Sequence, residues 1–113
     1  DRDKDMLKVG GENVAPSEVE RVLVSLDSVA EVAVVAKRHP MLDEVPVAFV
    51  RPSTPLANTD QDALRAEIES AMTNALADFK RPREIHFVDD FPRATLEKIA
   101  KAKLRAQLEE SGQ

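Results

Sequence analysis

The sequence has no cysteine, no tryptophan and no tyrosine, and its only histidines are His39 and His86. Without cysteine, the protein has neither disulfides nor thiolate metal ligands. Two imidazoles in separate segments do not make the ligand set that a transition metal needs, so we predict no metal site. Phenylalanine, present four times, supplies all of the aromatic side chains. This scarcity argues against base stacking, and we expect no nucleic-acid partner.

Long apolar runs are also missing. No stretch approaches the roughly 20 apolar residues that cross a bilayer, and the charged opening from Asp1 to Asp5 is unlike a signal peptide. We therefore expect a cytoplasmic protein without a transmembrane segment. A chain of 113 residues with 42% hydrophobic side chains is long enough to bury one core. Because no repeat or low-complexity segment divides it, we predict one domain, 1–113.

Charge is unevenly distributed along the chain. Residues 1–79 carry 8 basic and 15 acidic side chains, residues 80–105 carry 8 basic and 4 acidic ones, and the tail adds 2 acidic ones. A basic quarter on an acidic body is typical of a local site for an anionic ligand. Solvated lysines and arginines along one helix are the more ordinary explanation, and charge alone leaves both open.

The hydrophobic pattern predicts an α+β fold with the element order ββαββαβα. Two short apolar pieces around Gly10 and Gly11 predict a small hairpin whose turn needs positive φ. Two β-branched runs predict strands at Val29–Ala36 and Val45–Val50, and a third strand is predicted at Glu84–Val88. Together they predict a three-stranded, mostly antiparallel sheet packed with helices.

Three amphipathic helices complete the predicted fold. A capping box at Ser17 and Glu20 begins the first, Thr59 begins the second, and Thr95 begins the third. This start places Lys98 in the first turn of the last helix, where the helix dipole disfavours a cation by a few tenths of a kcal/mol. Helix stability therefore does not explain the presence of a lysine at position 98. We treat Lys98 as a functional candidate. The alternative is a solvated surface lysine without a function.

Two segments combine polar residues and glycines more densely than packing requires: Asp1–Val14 and Asp90–Ile99. Paired glycines allow a ligand or another chain to approach the backbone closely, and their amides bind anionic or carbonyl oxygens. A hairpin turn that simply needs glycine is the plainer alternative.

Together these segments resemble the C-terminal domain of the adenylate-forming superfamily, which includes acyl-CoA synthetases, luciferases and peptide-synthetase adenylation domains. The matching motifs occur in order over nearly the whole chain: DRxKDxxKxGGENVxPxEVE from Asp1, VAVV from Val32, DExPxAFV from Asp43, FKxP from Phe79, and FPR from Phe91 leading to Lys98-Ile99. The GGEN form of the glycine motif is similar to that of CoA ligases for medium- or long-chain fatty, aromatic or carnitine-related acids.

The resemblance implies an enzyme of which this chain is the mobile C-terminal lid. The large N-terminal adenylation domain, its partner, is absent from the chain. Such an enzyme converts a carboxylic acid and ATP into an acyl-adenylate and pyrophosphate, and then transfers the acyl group to CoA. ATP, Mg²⁺ and CoA would belong to the full-length enzyme. We expect the isolated chain to bind none of them and to have no adenylating activity.

The resemblance also implies roles for individual residues. Lys98 matches the catalytic lysine that contacts carboxylate and phosphate oxygens during adenylation. Arg2 and Lys4 match the hinge between the two domains. The strand and turn that replace the lysine after a domain rotation, and that line the pantetheine tunnel, match Lys8, Gly10, Gly11, Glu12 and Asn13.

Three positions depart from the family's pattern. The family often has threonine where Ala94 stands, and glycine where Glu97 and Asp43 stand.

Two other functions stay open at this point. The first is a non-catalytic α+β binding or regulatory module whose basic C-terminal helix binds an acidic partner or nucleic acid, and salt-dependent binding would favour it. The second is a stand-alone regulatory homologue of the ligase domain that docks on another protein.

Overall fold

The structure is a computed structural model that describes residues 6–95 and 98–111. The strands are β1 (Leu7–Val9), β2 (Glu12–Val14), β3 (Val29–His39), β4 (Asp43–Pro52) and β5 (Glu84–Phe87), and the helices are α1 (Pro16–Val24), α2 (Gln61–Ala75) and α3 (Lys101–Ser111). The predicted α+β class and element order are confirmed. No helix in this described part of the chain is long and apolar enough to cross a membrane.

A long antiparallel hairpin of β3 and β4 forms the largest part of a five-stranded mixed sheet, in which β3 is an edge strand. The register begins with Val29 opposite Pro52 and ends at the tight turn between the two strands. β1 and β5 share the other edge of β4. β1 pairs antiparallel through Val9 and Asp43, whereas β5 pairs parallel with residues 47–50. The small glycine hairpin therefore extends the main sheet.

Helices cover both faces of this hairpin. One face packs against α1 and α2 in a cluster that includes Val34, Ala48, Val50, Leu23, Leu64 and Ile68. The other face packs against α3 in a cluster that includes Ala33, Val35, Val47, Phe49, Leu104 and Leu108. Successive strand residues point to opposite faces. A strand covered on both sides must therefore be apolar throughout, which explains the unbroken runs at 32–36 and 45–50.

The first helix begins without the predicted capping box. Pro16 occupies its first turn, and Ala15, the N-cap residue, makes no side-chain cap hydrogen bond. Proline suits the first helical position because its φ is already near the helical value and it has no N–H to satisfy. The Glu20 carboxylate instead accepts a hydrogen bond from the backbone N–H of Val34, at 2.9 Å.

The second helix begins one residue later than predicted. Asp60 is its N-cap, and the carboxylate accepts a hydrogen bond from the Ala63 N–H at 3.0 Å. The Thr59 hydroxyl is engaged elsewhere, because it donates to the carbonyls of Thr54 and Pro55 at 3.1 and 2.9 Å.

Two glycines make the turn between β1 and β2. Gly10 has φ 57° and Gly11 has φ 88°, and positive φ at both central positions is typical of a type I′ hairpin turn. The Gly10 N–H donates to the Leu42 carbonyl at 2.9 Å. A Cβ added at Gly10 would lie 3.2 Å from Leu42 Cδ2, whereas one at Gly11 would meet nothing within 4 Å.

We predict that Gly10→Ala and Gly11→Ala each lower the free energy of unfolding by about 1 kcal/mol, because each substitution places a residue with a Cβ at a position where the turn requires positive φ. Gly10→Ala should cost more, since its methyl group also crowds Leu42. Urea denaturation measures both values, with Gly11→Asn as a milder control because asparagine tolerates this conformation. Unchanged stability in both alanine variants would contradict the assigned turn.

Candidate functional site

Lys98 lies on a short stretch of paired backbone. The Ala94 N–H donates to the Lys98 carbonyl at 2.8 Å, and the Ala100 N–H donates to the Pro92 carbonyl at 2.8 Å. We call the two paired stretches, residues 92–95 and 98–100, the lysine ladder.

The last helix does not contain Lys98. α3 begins at Lys101, whereas Thr95 and Lys98 exchange backbone hydrogen bonds of 3.3 and 3.4 Å. The prediction that Thr95 caps the helix and places Lys98 in its first turn is therefore wrong. Backbone groups that pair across the ladder are not available to start a helix, and a local capping pattern carries no information on that pairing.

The Lys98 side chain is exposed to solvent. It has no hydrogen-bond or ion-pair partner among the residues that the structure describes. An unpaired ammonium on an ordered backbone is suited to bind an anionic oxygen of a ligand.

Apolar contacts attach the lysine ladder to the sheet. Phe91, just before the ladder, is 5% exposed and belongs to the cluster under α3. Ile99, on the returning stretch, packs against the same cluster. The ladder therefore packs on the same face of the β3–β4 hairpin as α3.

A second attachment is ionic. The Arg93 guanidinium donates to both carboxylate oxygens of Glu31, at 2.8 and 3.1 Å. Arg51 Nε donates to the same carboxylate at 2.8 Å, and Arg93 also donates to Asp90 at 3.1 Å. We call these four side chains, Glu31, Arg51, Asp90 and Arg93, the Glu31 clamp.

The clamp lowers the pKa values of its two carboxylates, Glu31 and Asp90. The Arg93 hydrogen bond, the largest cause, lowers the pKa of Glu31 below its ordinary 4.5, although partial burial opposes this shift. The Phe91 backbone N–H and then Arg93 lower the pKa of Asp90. Since the pKa of Glu31 is lower in the native than in the unfolded protein, its stabilising effect is complete above pH 4.5 and is lost as pH falls through the native value.

Lys101, the first residue of α3 and the residue that follows the ladder, is held by a different carboxylate. Lys101 Nζ lies 2.8 Å from a Glu20 oxygen, the same carboxylate that accepts the Val34 N–H. Both side chains are about four-fifths buried. This pairing removes Lys101 from the solvated basic helix on which the binding-module hypothesis depends.

The residues matched to the pantetheine tunnel lie together on the glycine hairpin. Its exposed members are Lys8, Gly10, Gly11, Glu12 and Asn13. The Lys8 N–H donates to a Glu44 carboxylate oxygen at 3.0 Å. This bond fixes the hairpin against the start of β4 while its turn remains exposed.

An open cleft of about 700 Å³ adjoins the glycine hairpin, lined by Lys8, Arg38, His39, Pro40, Asp43 and Glu44. Basic and acidic side chains both face it. Asp43 has φ 69°, a conformation that favours glycine, which the family often has at this position.

The structure does not bring the lysine ladder and the glycine turn together. The glycine turn lies beside the start of β4. The Glu31 clamp, which includes Arg51, lies near the end of β4. Asp43 and Arg51, eight residues apart on β4, are separated by about 26 Å at ~3.3 Å per residue. Arg2, Lys4 and Glu97 lie outside the described residues.

Two carboxylates were missed at the sequence level, Glu31 and Glu20. An acidic residue inside an otherwise apolar strand run was the available signal for Glu31. Glu20 carried no comparable signal, since a capping box explains it locally. Among the described residues, no group of three or more histidine, aspartate or glutamate side chains could hold a metal ion.

Comparison with known proteins identifies the family. The model of the AMP-binding enzyme C-terminal domain matches residues 18–98. The chain is 38% identical over 109 residues to 4-coumarate–CoA ligase 4 of Arabidopsis thaliana, a match that covers 96% of this chain and 18% of that protein.

Solved structures agree. The anthranilate CoA ligase AuaEII in complex with anthranoyl-AMP is 35% identical with a TM-score of 0.87, covering 98% of this chain and 21% of that one. A Mycobacterium tuberculosis fatty acyl CoA synthetase is 34% identical with a TM-score of 0.84 and the same coverage.

The chain thus spans about a fifth of the length of these relatives. From the family model, the identities and the shared fold, we conclude that the chain belongs to the AMP-binding enzyme C-terminal domain family.

Proposed function

We propose that residues 1–113 are the C-terminal lid domain of an ATP-dependent acid–CoA ligase, and that an N-terminal domain binds ATP and the carboxylic acid. The relatives are CoA ligases of aromatic and fatty acids, and about four-fifths of their length lies outside this match. The observation that carries the proposal is the pair of exposed features near the two ends of β4: the glycine turn and the amine of Lys98, which has no partner among the residues that the structure describes.

In the first half-reaction, a carboxylate oxygen of the acid attacks the α-phosphorus of ATP and pyrophosphate leaves. Negative charge develops on the phosphate oxygens, which the rest of the enzyme shields from water. The Lys98 ammonium, carried on the lysine ladder, binds these oxygens and stabilises the charge. Comparable single donors contribute on the order of 10² to 10³ in rate.

In the second half-reaction, the CoA thiol attacks the acyl carbonyl and AMP leaves. The tunnel residues of the glycine hairpin then occupy the place of Lys98. Two glycines without side chains allow the thin pantetheine arm to pass close to the backbone. A tunnel of this kind needs an exposed turn, and Gly10 and Gly11 supply one.

The separation of the two ends explains why a rotation is needed. Asp43 and Arg51, which lie near the two features, are eight residues apart on β4, or about 26 Å at ~3.3 Å per residue. Features near opposite ends of this strand cannot occupy one reaction centre in a single orientation. A hinge at Arg2 and Lys4 would turn the lid between the half-reactions, as hinged domains do around a fixed site. Mg²⁺ would accompany ATP in the N-terminal domain, and no residue of this chain is assigned to it. The isolated chain would therefore lack adenylating activity.

We predict that Lys98→Ala in the full-length enzyme lowers the rate of acyl-adenylate formation by about 10² to 10³, because the developing charge loses its cation. Thioester formation from supplied acyl-adenylate and CoA should stay within about twofold, since that step uses the other end of the sheet. Pyrophosphate exchange measures the first step, and thioester release measures the second.

Lys103→Ala is the matched control, because Lys103 is an exposed lysine of α3 that the mechanism does not use. It should leave both rates unchanged. Equal loss of both steps in Lys98→Ala, or of neither, would overturn the role assigned to Lys98.

A further inference from the structure

The lysine ladder is too small to hold its own shape. Two of its backbone hydrogen bonds are short, at 2.8 Å, and the two between Thr95 and Lys98 are long, at 3.3 and 3.4 Å. Isolated two-stranded pairs are marginally stable in water even when longer than this one. The position of Lys98 must therefore depend on what attaches the ladder to the rest of the domain.

Apolar attachment alone does not define that position. Phe91 and Ile99 hold the ladder against the sheet, but contacts of this kind are non-directional and tolerate small rotations and shifts. The two parallel hydrogen bonds between Arg93 and Glu31 are directional, because a guanidinium and a carboxylate match only in one planar arrangement.

Glu31 is itself held in place. The β3–β4 register shifts between Val29 and Glu31, and after this irregularity Glu31 lies directly opposite Arg51. A bulge of this kind re-aims the side chains that follow it. The carboxylate receives bonds from Arg51 and Arg93 together, and the Glu31 and Arg93 side chains are each about three-quarters buried.

Removal of the Glu31 charge would leave two guanidinium groups facing each other. Asp90 would then be the remaining acidic partner of Arg93 within the clamp, and its side chain is 75% exposed. Exposed pairs of this type contribute little. The first stretch of the ladder, residues 92–95, would lose its directional attachment. The apolar contacts of Phe91 and Ile99, and the Lys101–Glu20 pair just after the ladder, would remain.

We propose that Glu31 is a positioning residue for Lys98: by fixing Arg93 at the base of the lysine ladder, its carboxylate sets the place and orientation from which the Lys98 ammonium reaches the reacting oxygens. This proposal rests on the proposed function of Lys98. Glu31 does not touch substrate, so its effect is confined to the step that uses the ladder.

The first test measures the ladder directly in this chain. In Glu31→Gln, the amide protons of Ala94 and Ala100 should exchange with solvent at least roughly tenfold faster, because their bonds open more readily once the clamp is lost. Amides of β3 and β4 away from the clamp should keep their protection. Glu84→Gln is the matched control, since Glu84 is a strand carboxylate paired with Lys37 and His86, and it should leave the ladder amides unchanged.

The second test uses the full-length enzyme. Glu31→Gln should lower kcat for adenylate formation on the order of 10- to 100-fold, since small misplacements of a catalytic group have effects of this size. KM and the thioester step should remain unchanged. In the Lys98→Ala background, Glu31→Gln should cause no further loss, because an amine that is absent cannot be misplaced.

Arg93→Lys provides a second variant if Glu31→Gln folds poorly. It keeps the positive charge but cannot make two parallel bonds, so exchange and kcat should lie between the wild-type and Glu31→Gln values. Unchanged ladder amides and unchanged adenylation in Glu31→Gln would overturn the positioning role. So would an equal loss in both half-reactions, or an additive loss on top of Lys98→Ala.

The two proposals fail in different ways. If Lys98→Ala leaves adenylation intact, the proposed function is wrong, whatever the exchange data show. If Lys98→Ala abolishes adenylation while Glu31→Gln changes neither measurement, only the positioning role is wrong.

Discussion

Burial of both faces of the β3–β4 hairpin is the constraint on which the rest of the domain depends. α1 and α2 cover one face and α3 covers the other. Because both faces are packed, the hairpin is rigid and has little freedom to bend or to slip in register. The two candidate functional features lie near its ends. The glycine turn is bonded to Leu42 at one end, and the lysine ladder is clamped by Glu31 at the other.

Part of the acidic body of the domain pairs with its basic quarter. Among the described residues, four of the basic side chains in 80–105 pair with carboxylates, namely Lys80 with Glu18, Arg81 with Asp78, Arg93 with Glu31 and Lys101 with Glu20. Three of these carboxylates belong to α1 or β3. The charge asymmetry of the sequence is thus partly an internal feature of the fold. Lys98, like Arg83 and Lys103, is an exposed cation without a side-chain partner among the described residues.

Local patterns predicted the parts of this structure that local forces determine. β-branched runs located β3, β4 and β5, and the glycine pair predicted a turn with positive φ. The helix starts were less predictable, because Pro16 and Asp60 replaced Ser17 and Thr59 as the residues that define them. The Thr59 hydroxyl donates instead to carbonyls four and five residues earlier, and the Glu20 carboxylate accepts from Val34 in the next strand.

The candidate site was predicted as a set of residues but not as a geometry. Lys98 is predicted in the first turn of α3, where helix stability does not explain it, whereas it lies on the ladder before that helix. The cause is a tertiary contact, because Arg93 binds Glu31, which lies 62 positions away in the sequence. The parallel pairing of β5 with β4 also depends on tertiary contacts, since nothing in Glu84–Phe87 specifies its partner strand.

The central claim is that the two ends of one rigid sheet visit one reaction centre at different times. Distances from single labels in the full-length enzyme to a paramagnetic ATP analogue test it most directly, with one label at Ala94→Cys on the ladder and another at Met41→Cys, 87% exposed beside the glycine turn. With the ATP analogue and the acid bound, the ladder label should be near and the turn label roughly 20 Å farther, given ~3.3 Å per strand residue. Once acyl-adenylate and CoA are bound, with the paramagnetic centre on the adenylate, the order should reverse. Distances that stay the same in both states would contradict the account.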